Sequence, residues 1–511
     1  MRFRVFATIP YMVEKVHQMR ERNVTSEPSR VRPFLSSRPV FTRQQFRDIA
    51  EAGRSTNAAD TLLRYYVATK KVVHAAPGVY ATVPPHLDSG TFTPDALLVA
   101  SMIRDDGVLG YHTALGLHGL AYSEGGETVV LSSGKPWQVD TISGPVRFVM
   151  QPAPLRRAGM EDDGVETIDR RGLDIRVTGV ARTIVDCLER IAAEHAFQPA
   201  TTERVIRLTD VLQRLAKDPI VGKATALKGG TALNLFYLGL DRLSVDIDLN
   251  YVASPDRETM LKDQKALNDR IPRLMRSWGY TVTRDASSEH AGGKWRFRYN
   301  SAYGRQGTLE IDVNYLYRSP FFGVHTLDSV DLGGYVAKNV QVVDLHEICA
   351  GKLVAFVARR ASRDLFDAWR LLHTDGIDWN LVKNAMCAIG AASRDLDWRN
   401  VSLDGYDYDL NDFQSKLLPC VKRGLIDDAG GADAWCRRVL EECQDRLSGL
   451  YEPDENQMRF LDAVYEEGRL DAGLLDVPDE VRVHIDAFPA LRWKCRNITE
   501  HAARNAPGPR L

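Results

Sequence analysis

No CxxC pair occurs anywhere in the 511 residues. The seven cysteines (Cys187, Cys349, Cys387, Cys420, Cys436, Cys443 and Cys495) are odd in number and scattered, which argues against a zinc ribbon or a disulfide framework and reads as reduced thiols. Long apolar runs are also missing, and none approaches the roughly 18 residues of a membrane span. The N-terminal stretch MRFRVFATIPYMVEKVHQMRERN starts with a short apolar run, but Glu14 and Lys15 break it and no cleavage site follows. A cytoplasmic location without membrane contact is therefore expected. Excess charge is lacking too: the net value is −2, so any attraction for nucleic acid has to come from local patches. There is no low-complexity tract and no internal repeat. A length of 511 residues exceeds one ordinary core and implies roughly two to four domains.

The densest chemistry lies in LKGGTALNLFYLGLDRLSVDIDLNYV, residues 227–252. A strand over SVDIDLNYV puts Val245, Ile247 and Leu249 on one face and Ser244, Asp246, Asp248 and Asn250 on the other. The two aspartates then point the same way about 7 Å apart. Such a pair repels unless a cation sits between, and Mg²⁺ takes one or two carboxylates while leaving positions for water and phosphate. In TLEIDVNYL a second strand has the same pattern, with Glu310, Asp312 and Asn314 alternating with Leu309, Ile311 and Val313. Asp312, with Glu310 as second choice, would complete a three-carboxylate metal site of the kind that clamps attacking and leaving oxygens in phosphoryl transfer. Ahead of the acids, Gly229, Gly230 and Thr231 open a helical pattern, where backbone N–H groups and the helix dipole favour phosphate.

Gly229-Gly230-Thr231 followed by Arg242-x-Ser244-x-Asp246-x-Asp248 resembles the AbiEii-type toxins, members of the DNA polymerase β-like nucleotidyltransferase superfamily that includes the MenT toxins of mycobacteria. The resemblance covers roughly residues 200–375. It implies a catalytic set of Asp246, Asp248, Asp312, Lys352 and Asp364, with Asp367 competing for the last role, and nucleotide contacts from Gly229, Gly230, Thr231, Arg242 and Ser244. The implied reaction is Mg²⁺-dependent transfer of a nucleoside monophosphate from an NTP to RNA, in that family the 3′ end of tRNA. Ser244 coincides with a serine phosphorylated in some relatives, where a dianion beside the acids would block the site; the other reading is an ordinary strand residue. In KWRFRYN, Lys294, Arg296 and Arg298 alternate with Trp295, Phe297 and Tyr299, which reads either as a solvated strand edge or as an RNA-backbone groove.

The first part of the chain carries FTRQQFRDIA, TLLRYYVATKKVV and the turn APGVYA, a helix, a second helix and a small hairpin. Thr42 is a candidate N-cap. This outline resembles the winged helix of AbiEi-type antitoxins. The resemblance makes Ser55, Thr56, Asn57, Arg64, Lys70 and Lys71 candidates for contact with operator DNA; the competing use of the same module is protein contact alone. His112 and His118 in YHTALGLHGL suit core or capping roles better than a metal.

The expected fold class is α+β and multidomain: an N-terminal arm (1–38), a winged helix-turn-helix (39–88), an antitoxin α/β domain (89–193), a linker (194–203), a polymerase β-like nucleotidyltransferase core (204–340) and a helical C-terminal domain (341–511). Antitoxin-like and toxin-like segments would then share one chain in that order. The competing class is a DNA-binding autorepressor whose transferase half is inactive and structural. Which NTP, RNA acceptor and operator are used, and in what oligomeric state, stay open at this point.

Overall fold

A computed structural model describes residues 30–50, 56–121, 126–286, 292–394, 396–426 and 430–505. The chain divides into two compact units, Met1–Cys187 and Leu188–Leu511.

In the first unit, helix α1 (Val31–Ser37) leads into strand β1 (Val40–Thr42), helices α2 (Arg43–Ala50) and α3 (Thr56–Ala68), and the hairpin β2 (Val72–Ala76) and β3 (Val79–Thr82). The three strands form an antiparallel sheet in the order β1-β3-β2. Thr42 starts α2 through a reciprocal capping box: Gln45 N donates to Thr42 Oγ1 at 3.2 Å, and Thr42 N donates to Gln45 Oε1 at 2.9 Å. Phe34, Phe41, Phe46 and Tyr66 fill the small core. On α3, Asp60 accepts from both Arg43 and Arg47 of α2 and fixes the two helices against each other. Gly78, at φ +74°, makes the hairpin turn. Asn57, Arg64, Lys70 and Lys71 are exposed. Ser55 lies outside the described residues, as does the side chain of Thr56.

The rest of this unit is a six-stranded mixed sheet with strands β4 (Val108–Leu109), β5 (Thr128–Ser132), β6 (Trp137–Thr141), β7 (Gly144–Met150), β8 (Val165–Arg170) and β9 (Leu173–Thr178), ordered β6-β7-β5-β4-β9-β8. Val130, Phe148, Ile175 and Val177 are buried on it against Leu98 and Ala100. His118 bonds the Thr178 carbonyl at 2.8 Å while His112 is exposed, so the two histidines do not converge.

The second unit begins inside the helix Val180–Glu194. The segment expected as a linker, 194–203, is instead folded: α4 (Pro199–Lys217) starts within it, Phe197 is fully buried, and Glu203 accepts from Ser301 Oγ and Ala302 N. Its proline, a breaker mid-helix, sits at the first helical position, where no N–H is needed.

A seven-stranded sheet forms the body of this unit. Its strands are β10 (Thr225–Lys228), β11 (Asp246–Tyr251), β12 (Thr281–Arg284), β13 (Gly292–Asn300), β14 (Gln306–Asn314), β15 (Val324–Leu327) and β16 (Val340–Val343), in the order β12-β13-β14-β11-β10-β16-β15. Strand β11 runs parallel to β14 and antiparallel to β10. Ile247, Leu249, Trp295, Phe297, Leu309, Ile311 and Val313 pack on one side, as period-2 alternation requires. Burying a Leu or Phe side chain contributes about 1.5–3 kcal/mol, so a one-residue register slip, which would expose the whole set, is strongly disfavoured. Helix α5 (Arg257–Ser277) connects β11 to β12, helices α6 (Leu345–Arg359), α7 (Ser362–Leu372) and α8 (Trp379–Ala391) follow β16, and from there the described chain is mostly helical.

Candidate active site

Strand β10 ends at Lys228, and the chain turns through Gly229 at φ +73° into a helical turn, Gly229–Ala232, that widens to a π-helical turn at Leu233–Tyr237. A Cβ on Gly229 would stand 2.7 Å from Asp248 Oδ2, and one on Gly230 would stand 2.9 Å from Ser244 Oγ and 3.1 Å from Arg242 Nη2. The backbone conformation at Gly229 therefore requires glycine, and a Cβ at Gly230 would press on the Ser244 hydroxyl and the Arg242 guanidinium. Thr231 Oγ1 donates to the Asp246 carbonyl, which ties the glycine turn to the acidic strand.

Register assembles the acids. Parallel pairing sets Asp246 opposite Glu310 and Asp248 opposite Asp312; Lys228 faces Asp248 from β10, and Lys294 faces Asp312 from β13. The result is one row across four strands: Lys228, Asp248, Asp312, Lys294. Glu310 is held by Lys294 at 2.5 Å and Arg296 at 2.7 Å. Burial works against its charge, but those two hydrogen bonds prevail and lower its pKa. Asp312 has the opposite balance: burial, then repulsion from Asp248, raise its pKa. Burial also raises that of Asp246, with Asp248 and Glu310 adding to it. Ser244 is buried and precedes the strand rather than belonging to it, because its neighbours are tied elsewhere: Leu243 N donates to Cys420 O, and Arg242 bridges to Val421.

The helices supply the opposite wall. Lys352 on α6 lies 2.7 Å from Asp367 Oδ2 and 3.3 Å from Asp364 Oδ1, both on α7. Asp367 is fully buried and also receives Arg242 through Nε at 3.0 Å and Nη2 at 2.9 Å. Burial disfavours its charge, but Arg242 and Lys352 outweigh that and lower its pKa. The guanidinium assigned to the nucleotide in the sequence reading is thus anchored on a carboxylate. Asp364 stands nearer the opening, beside Arg359.

These groups line one cavity of about 640 Å³, within the range of ligand pockets. Gly229, Gly230, Arg242, Ser244, Asp246, Asp248, Asp312, Lys352 and Asp364 all border it, and Thr231 is buried beneath. Lys294, which the sequence offers as a strand-edge or RNA-groove residue, borders it too, and so do Lys228, Glu347, Arg359 and Arg363, for which the sequence carries no such signal. Glu347, on the buried face of α6, accepts from Phe321 N at 2.6 Å, and burial lifts its pKa to about 8. Lys228 sits over the Tyr317 ring at 5.3 Å. Asn250 Oδ1 is buried on the wall of this cavity with no hydrogen-bond partner among the described residues.

Among the described residues no three His, Cys, Asp or Glu side chains stand close enough to share one ion. Two adjacent carboxylates facing a cavity, with a third across the strand pair, nevertheless fit Mg²⁺, whose remaining positions go to water and phosphate oxygens.

Residues 210–437 match the family model described as nucleotidyl transferase AbiEii toxin, type IV toxin–antitoxin system. The matched residues all lie in the second unit, which resembles an AbiEii-type nucleotidyltransferase over that stretch. Among solved structures, MenT4, a nucleotidyltransferase toxin from Mycobacterium tuberculosis H37Rv, aligns at 20% identity over 59% of this chain and 98% of that one, with a TM-score of 0.42. A nucleotidyltransferase from H. pylori aligns at 18% identity over 50% and 98%, with a TM-score of 0.29. No curated protein matches. The AbiEii match takes in the glycine turn, both acidic strands, Lys352 and the α7 aspartates. No described helix is long and apolar enough to cross a membrane.

Proposed function

We propose that this chain is a Mg²⁺-dependent toxin-type nucleotidyltransferase that moves a nucleoside monophosphate from an NTP to RNA, with the 3′ end of tRNA as acceptor. The observation that carries the reading is the β11/β14 register, which places Asp248 against Asp312 beneath the glycine turn. Asp246 and Asp248 would hold the metal with Asp312 beside them; Mg²⁺ bound there offsets the charge of carboxylates and triphosphate together. The acceptor hydroxyl attacks the α-phosphorus, one P–O bond forms, the bond to the β-phosphate oxygen breaks, and pyrophosphate leaves. Asp312, with its raised pKa, suits the role of taking the hydroxyl proton. Lys352, fixed by Asp364 and Asp367, presents its charge to the triphosphate. Arg242 acts by holding Asp367, and Ser244, beside Gly230, is where a phosphate would close the site.

For the first unit we propose a winged helix that binds operator DNA within an AbiEi-like antitoxin segment. Its support is the order α1-β1-α2-α3-β2-β3 with Arg64, Lys70 and Lys71 exposed on and just after α3.

The test is incubation of the full chain with total tRNA, Mg²⁺ and each labelled NTP in turn. Label should appear on RNA with wild type and not with Asp246→Ala. Absence of transfer from every NTP would leave only the DNA-binding role.

A further inference from the structure

Around the cavity, the cations differ in how firmly they are held. Lys352 and Arg242 are locked on Asp367 at 2.7 and 2.9 Å, and Lys294 is on Glu310 at 2.5 Å. Arg363 is different. Its Nη1 lies 4.0 Å from Asp246 Oδ2, with the two side chains 38% and 37% exposed. An ion pair that long and that open to solvent contributes little, so the guanidinium leaves its carboxylate at small cost. Its backbone is fixed on both sides. Ser362 N and Oγ donate to Asp412 at 2.9 and 2.6 Å, and Asp364 is bound by Lys352 and Arg359. A long side chain on an immobile base at the cavity wall can reorient without the helix moving.

We propose that Arg363 is a phosphate-binding residue of this site. It shields Asp246 while the site is empty of ligand, and turns to the β- and γ-phosphates of the NTP, and then to pyrophosphate, when a divalent cation engages the Asp246 carboxylate. The inference rests on the transferase reading above and adds a residue to it. A guanidinium presents a planar fork that matches two phosphate oxygens, and its place in the first turn of α7 adds the positive end of the helix dipole. Competition between Arg363 and the metal for one carboxylate gives the residue a signature that a structural role lacks.

The experiment is calorimetry on the full chain, comparing wild type, Arg363→Gln and Arg363→Lys, first with Mn²⁺ alone and then with pyrophosphate in the presence of Mn²⁺. Arg363→Gln should bind Mn²⁺ about two- to threefold more tightly, because a competing cation has gone. The same variant should bind pyrophosphate about tenfold more weakly, because a charge-assisted contact has gone. Arg363→Lys should keep the wild-type Mn²⁺ affinity and recover only part of the pyrophosphate affinity. Loss of fold would weaken both ligands together, and circular dichroism of the half-exposed variant checks for it. Unchanged pyrophosphate affinity in Arg363→Gln overturns the inference while leaving the transferase reading standing. A wild-type protein that binds neither Mn²⁺ nor pyrophosphate overturns both.

Discussion

Arg242 meets Asp367 with a forked guanidinium, Nε at 3.0 Å and Nη2 at 2.9 Å, and neither side chain is more than 3% exposed. The pair joins the segment before β11 to α7, and Lys352 shares the same carboxylate. Removing one partner of such a pair strands a charge in the interior. Asp367→Ala should therefore destabilise the fold by about 3–5 kcal/mol. Chemical denaturation followed by tryptophan fluorescence measures it, and Asp364→Ala, whose neighbour Arg359 is mostly exposed, should cost distinctly less.

Gly229→Ala brings together strain and collision. The backbone is left-handed there, and the added methyl would lie 2.7 Å from an Asp248 carboxylate oxygen. A non-glycine residue at positive φ costs about 1–2 kcal/mol. That is tolerable for folding, but displacement of Asp248 is not tolerable for chemistry. Nucleotidyl transfer should fall by about a hundredfold or more while the melting transition moves only modestly. A variant that keeps full transfer would show that the turn is not part of the site.

Much of this site is readable in the primary structure and much is not, for a physical reason. Polar-apolar alternation in SVDIDLNYV and TLEIDVNYL is local, so it reveals which face Asp246, Asp248, Glu310 and Asp312 share. Register between strands 64 residues apart in sequence, Asp248 against Asp312, is set by the whole sheet, and only the structure separates Asp312 from the ion-paired Glu310. Arg242 and Asp367, 125 residues apart, send no local signal at all. Glu347 was hidden because a helical glutamate is usually exposed, and here α6 turns it inward under the Phe321 amide. The expected linker misled because proline reads as a breaker, whereas Pro199 opens α4.

Glu347 sets the direction of a pH effect. Its pKa rises from an ordinary 4.5 to about 8 on folding, through burial. Between those values the native state keeps a proton that the unfolded chain has lost, so stability falls as pH rises through the window. Glu347→Gln mimics the protonated form and should flatten that slope. Denaturation midpoints at pH 6 and pH 8 should lie closer together in the variant than in wild type. Equal slopes would mean that the carboxyl is ionised in the folded protein.

Asp246→Ala and Lys352→Met should separate metal from phosphate. Asp246→Ala removes a carboxylate from the proposed ion site and should abolish Mn²⁺ binding together with transfer. Lys352→Met leaves the acidic strands intact, so Mn²⁺ binding should persist while transfer falls by about a hundredfold. Equal loss of metal binding in both would show that Lys352 shapes the acids and does not act on the triphosphate.

For the first unit, the exposed cations Arg64, Lys70 and Lys71 give a quantitative expectation. If they contact phosphate, replacing each by alanine should reduce the slope of log affinity against log salt by about one and weaken binding to all sequences alike. Asn57 is also exposed at the start of α3; if that helix enters the major groove, Asn57→Ala should change sequence preference with little change in slope. Fluorescence anisotropy on DNA from the chain's own upstream region, run beside a scrambled duplex over a salt series, reads both quantities. Because the acids of the second unit take no part in this, Asp246→Ala should bind the same DNA as wild type. Slopes indifferent to all three cations would assign the helix pair to protein contact instead.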